Sequence, residues 1–98
     1  MPLASLDIIR AAKLGFAVVS HRDEGRPTHY SLTKTYCSDE ECYSTALLVS
    51  PTAELLRTEH YKLDSLDGIL TGMTKVDRLP QKIAGEYNLD IAQLLNIP

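Results

Sequence analysis

The chain is predicted to fold as an α+β domain in which an N-terminal helix precedes a three-stranded, largely antiparallel sheet, with further helices at the C-terminal end. Three features predict this: a capped apolar segment at the start, three β-patterned runs between Phe16 and Val49, and helically spaced apolar residues near the end. Its 98 residues suit one domain, taken as 1–98, because chains divide only well above that length.

The elements follow in order. Ser5 can cap a helix running to about Leu14, since its hydroxyl can accept a free backbone N–H and Gly15 supplies a left-handed exit. Leu6, Ile8, Ile9, Ala11, Ala12 and Leu14 leave Asp7, Arg10 and Lys13 as a narrow polar stripe, so this helix should be mostly buried. Val18 and Val19 favour a strand over Phe16 to Arg22, and Asp23 to Pro27 form a polar break suited to a hairpin turn. From Thr28 to Tyr36, the residues Tyr30, Leu32 and Tyr36 alternate with His29, Ser31, Thr33 and Thr35, as in a sheet wet on one side. Lys34 interrupts the apolar face, which suggests a strand near an edge. A third strand is expected over Tyr43 to Val49, with Tyr43, Thr45, Leu47 and Val49 on one face.

Ser50 and Pro51 read as a helix start, because proline at the first helical position loses no hydrogen bond. A helix is therefore expected from Pro51 to about Tyr61, with Ala53, Leu55 and Leu56 on its apolar side. Gly68 and Gly72 loosen Ser65 to Met73 into a short helix or an irregular passage. Leu79, Ile83 and Tyr87 recur at four-residue spacing, and Leu89, Ile91, Leu94 and Leu95 form a second cluster beyond Asn88; two short helices joined by a tight turn follow.

Composition sets the functional bounds. With 44% hydrophobic and 23% charged residues the chain is globular rather than disordered, and with no Trp and one Phe its core rests on Leu, Ile, Val and Ala. It has no membrane-length apolar run and no secretory pattern at its start, so a cytoplasmic protein without membrane contact is expected. Two cysteines are too few for a disulfide-stapled scaffold, which favours reduced thiols in a reducing compartment. The net charge of −3 is concentrated between Cys37 and Gly68.

The densest acidic run is Asp39, Glu40 and Glu41, continued in sign by Glu54 and Glu59 and further on by Asp64 and Asp67. Matched charge speeds and orients association, so such residues can dock on a basic protein surface. His21, His29, Cys37 and Cys42 are of metal-ligand type, but their spacings lack the closely paired ligands of zinc knuckles. A small metal- or thiol-dependent enzyme would need these groups to converge. The chain contains no phosphate-binding glycine loop, nucleophile elbow or zinc-protease motif, and no cofactor is expected.

The stretch DIIRAAKLGFAVVSHRDEGRPTHYSLT, Asp7 to Thr33, resembles the recognition helix and β-wing of winged-helix regulators. The resemblance implies DNA binding through Arg10 and Lys13 in a groove and Arg22 and Arg26 on phosphate, with Lys34 extending the basic face. The tail IAGEYNLDIAQLLNI is similar to half of a LysM sugar-binding module and to a helix-turn-helix fragment, although its apolar residues are also those two packed helices require. The leading expectation is a non-enzymatic interaction module docking on a larger protein, a profile shared by small regulators, inhibitors and accessory proteins of mobile elements. Winged-helix-like DNA binding is the alternative, and a homodimer is compatible with either.

Overall fold

The computed structural model describes residues 8–52 and 54–94. The order is α1 (Ile8–Lys13), β1 (Ala17–Asp23), β2 (Arg26–Ser38), β3 (Glu41–Val49), β4 (Leu55–Leu66), β5 (Ile69–Val76) and α2 (Gln81–Leu94). The strands form one antiparallel meander in which each pairs with its neighbour in sequence.

The sheet has five strands, not the three expected. Its first three coincide with the predicted runs; in β3 buried and half-exposed residues alternate from Cys42 to Val49, which marks one covered face. Leu32 and Tyr36 of β2, and Tyr43, Thr45, Leu47 and Val49 of β3, are all buried. Both helices lie on that face: Ala11 and Leu94 join Phe16, Leu32, Leu47 and Val49 in one cluster, while Ile83 joins Tyr36 and Tyr43 in another. On the open face Ser31, Thr33, Ser44, Ala46 and Leu48 are half-buried.

The helix expected over Pro51 to Tyr61 is replaced by β4. Ser50 and Pro51 open a tight turn, closed by Ser50 N–H donating to the Glu54 carbonyl at 2.8 Å and Glu54 N–H donating to Ser50 Oγ at 3.0 Å. The following residues lack a helical apolar stripe, and they complete the free edge of β3 instead. The passage Ser65 to Met73 is also corrected, to a β4–β5 hairpin. Asp67 and Gly68 occupy its two-residue turn with φ of 53° and 78°, the left-handed pair that a type I′ turn requires.

The predicted C-terminal helical pair is one helix. α2 starts after Pro80, whose carbonyl accepts the Ile83 and Ala84 N–H groups, and passes through Asn88 unbroken. Its second half is held by Asp90. The carboxylate accepts Lys34 Nζ at 2.6 Å and the Tyr36 hydroxyl at 2.7 Å, while Lys34 Nζ also donates to the Leu14 carbonyl at 2.6 Å. Lys34 therefore lies on an interior strand beneath α2, where its paired charge is tolerated, rather than near an edge as expected. The predicted Ser5 cap, the proposed contribution of Ala53 and the Leu95 contact lie outside the described residues.

Candidate functional site

The acidic run forms a hairpin tip. Ser38 faces Glu41 across β2 and β3, leaving Asp39 and Glu40 as the turn, with φ of 51° and 67°. Non-glycine residues are disfavoured in that left-handed region, so neighbouring contacts must hold the turn. Cys37 and Cys42 face each other immediately behind it and form a disulfide, with Cα atoms 4.1 Å apart. This corrects the expectation of reduced thiols: cross-strand register brings the sulfurs together, a relation that Cys-x4-Cys spacing alone does not reveal. From the start of α2, Lys82 Nζ reaches Asp39 Oδ2 at 3.4 Å and Glu41 Oε2 at 3.7 Å. Tyr43 also donates to Glu41 Oε2, at 3.3 Å.

The meander adds two acids to this end of the sheet. Cys42 pairs with Leu63, so Asp64 follows on the strand next to Glu41, and Asp67 lies in the β4–β5 turn beyond it. Thr74 donates to Asp64 Oδ2 at 3.0 Å. One end of the molecule thus carries Asp39, Glu40, Glu41, Asp64 and Asp67, and Lys82 is in ion-pair contact with two of them. The side chain of Asp39 is 80% exposed, which leaves the tip charge available to a partner.

Two predicted acidic residues lie elsewhere. Glu54 is in the β3–β4 turn at the opposite end, separated from the tip by the length of β3, roughly 25 Å at strand rise. Glu59 lies midway along β4 on the open face, accepting from Arg57 Nε at 3.1 Å and from the Tyr61 hydroxyl. The Tyr61 bond, followed by Arg57, holds its carboxyl below the usual range, and the same contact raises the Tyr61 phenol.

The predicted basic residues are dispersed. Arg10 and Lys13 are exposed on α1, with Arg10 Nη1 donating to the Gln93 carbonyl at 3.5 Å. Arg22 and Arg26 lie at the β1–β2 turn, where Arg22 Nη1 donates to the Gly25 carbonyl at 3.1 Å. Lys34 is engaged beneath α2.

The four possible metal ligands also fail to converge. His21 and His29 face each other across β1 and β2 with rings stacked 4.2 Å apart at 10°. Ser31 Oγ lies 2.8 Å from His21 Nε2, and Thr28 Oγ1 lies 3.1 Å from His29 Nδ1. The disulfide is roughly 25 Å along β2 from His29. Among the described residues, no group of three or more His, Cys, Asp or Glu is placed to hold a metal ion. A shallow cavity of about 290 Å³ brings His29 and Arg57 together with Thr28, Leu48 and Leu56, without a thiol.

Comparison with family models, curated proteins and solved structures finds no match to this chain. No helix among the described residues is long and apolar enough to cross a membrane.

Sequence reasoning missed two features beneath α2. One is the Lys34–Asp90–Tyr36 cluster, in which burial and then Asp90 hold the Tyr36 phenol above its ordinary range. The other is His60, whose buried Nδ1 has no hydrogen-bond partner among the described residues and whose ring meets Tyr87 edge-on at 5.2 Å. Burial pushes the His60 pKa down. The alternation around Tyr36 marks the covered strand, but no local pattern identifies Asp90 or Tyr87 as its distant partner.

Proposed function

We propose that the protein is a non-enzymatic docking module whose acidic sheet end engages a basic surface on a larger protein. The observation that carries this reading is the gathering of Asp39, Glu40 and Glu41 with Asp64 and Asp67 at one end of the sheet. The β2–β3 tip is braced by a disulfide and by Lys82, so much of its ordering cost is met before association. Like charge at such an end disfavours acidic partners and nucleic acid alike.

The winged-helix-like alternative would use Arg10, Lys13, Arg22 and Arg26, since Lys34 is already paired with Asp90. The observed disulfide weakens the thiol-based argument for a reducing compartment, and a cytoplasmic site of action remains part of the proposal. Capture from a lysate of the source cell tests the reading when it is run with and without nuclease. A protein that persists after nuclease and is lost by Asp39→Lys with Glu40→Lys and Glu41→Lys supports it; recovery of nucleic acid alone, sensitive to Arg22→Ala with Arg26→Ala, overturns it.

A further inference from the structure

The two edges of the sheet differ. β1 has α1 packed against it and ends in Ser20, His21, Arg22 and Asp23, with a register shift between His21 and Arg22. Charge and irregularity of this kind discourage another strand from pairing there. β5, Ile69–Val76, has Lys75 as its one charged residue. Its Ile69, Leu70 and Met73 are 69%, 58% and 54% exposed, and Leu66 across the hairpin is 68% exposed. Among the described residues the outer edge of β5 faces no further strand, leaving backbone donors and acceptors that an added strand can satisfy.

We propose that this edge pairs with β5 of a second copy, antiparallel about a two-fold axis. The register follows from the faces. Met73 lies opposite Leu63 and Leu70 opposite Ser65, so the shift between Asp64 and Ser65 leaves Leu70 and Met73 on the open face. Ile69 and Thr74, opposite Leu66 and Lys62, are on the other. Same-face residues meet twice in one arrangement: Leu70 of each copy faces Met73 of the other, and Ile69 faces Thr74, with the bulge at Thr71 beside the axis.

That register is complementary in charge. Lys75 falls across from Gly68 and beside Asp67 of the other copy, so the strand's one cation meets the turn's acid at both ends of the interface. A two-fold contact closes on itself and leaves no further β5 edge to pair. The β2–β3 tips of the two copies, which carry Asp39, Glu40 and Glu41, then point in opposite directions along the joined sheet and lie away from the β5 edge.

Sedimentation equilibrium from micromolar to millimolar protein tests this. The mass should rise with concentration from 10.9 kDa towards twice that value. Leu70→Lys with Met73→Lys should hold the mass at the monomer value with an unchanged circular dichroism spectrum, whereas Leu89→Lys on exposed α2 should dimerise as wild type does. Asp67→Lys should raise the dimer Kd about tenfold, and adding Lys75→Asp should restore it to within about threefold. A wild-type chain that stays monomeric throughout overturns the proposal. So does a dimer that survives Leu70→Lys with Met73→Lys, or one that responds to Asp67→Lys without rescue by the swap.

Discussion

Replacing Asp90 by alanine should cost more stability than any surface substitution in this chain. The carboxylate is the shared acceptor for Lys34 Nζ and the Tyr36 hydroxyl, and the side chains of Lys34 and Asp90 are 19% and 12% exposed. Without it the ammonium keeps the Leu14 carbonyl, while the phenol loses its acceptor beneath α2. Breaking a largely buried pair from one side costs about 3–5 kcal/mol. At about 4–8 °C per kcal/mol for a domain of this size, Tm should fall by roughly 12–40 °C. Urea unfolding followed by circular dichroism reads the loss directly. The matched replacement Lys34→Met, Tyr36→Phe and Asp90→Leu should recover most of that loss, because it removes both charges and the buried hydroxyl together. A loss below about 1 kcal/mol for Asp90→Ala would refute the reasoning, since it would mean that solvent already screens the cluster.

Three further outcomes follow from the same packing. His60 is depressed by burial, so folding favours its neutral form; stability from this group is present above its unfolded value near 6.5 and is lost as pH falls through that value towards the lower folded one. Unfolding titrations between neutral and mildly acidic pH should show that slope in wild type and lose it in His60→Phe. Cys37→Ser with Cys42→Ser should lower stability by about 2 kcal/mol for so short a closed loop, and alkylation with mass analysis should find no free thiol before reduction. Gly15 has φ of 94°, and an added Cβ would lie 3.2 Å from Lys34 Cε, so Gly15→Ala should cost about 1–2 kcal/mol by urea unfolding.

The parts of the fold legible in the sequence are those with one face covered. Tyr43, Thr45, Leu47 and Val49 alternate because α2 and α1 lie over that face, and the same holds for Leu32 and Tyr36. β4 presents Thr58, His60, Lys62 and Asp64 in register with that face, yet it extends beyond the main apolar clusters and needs no apolar alternation. Its backbone pairing, rather than its burial, makes it a strand. Ser50–Pro51 suited either a helix start or the turn observed, and the pairing available on β3 decided between them. Asp67–Gly68 is a left-handed turn pair flanked by Leu66 and Ile69, but a glycine signals a hairpin turn and a loosened segment alike, and Gly72 four residues on favours the second.

The candidate site divides in the same way. Asp39 to Glu41 stand together because they are consecutive, whereas Asp64 and Asp67 join them only through the meander. Glu54 and Glu59 share their sign without sharing their place. Lys34 and Asp90 are far apart in the chain, and neither carries a local signal that foretells the other.

The most direct test of the docking account is the salt dependence of affinity for the captured partner, measured with wild type, with the triple Asp39→Lys, Glu40→Lys and Glu41→Lys variant, and with Arg22→Ala and Arg26→Ala together. The account predicts that wild-type affinity falls as salt rises, that the triple variant loses binding, and that the arginine variant binds as wild type does. Unchanged binding by the triple variant, or loss confined to the arginine variant, would contradict it.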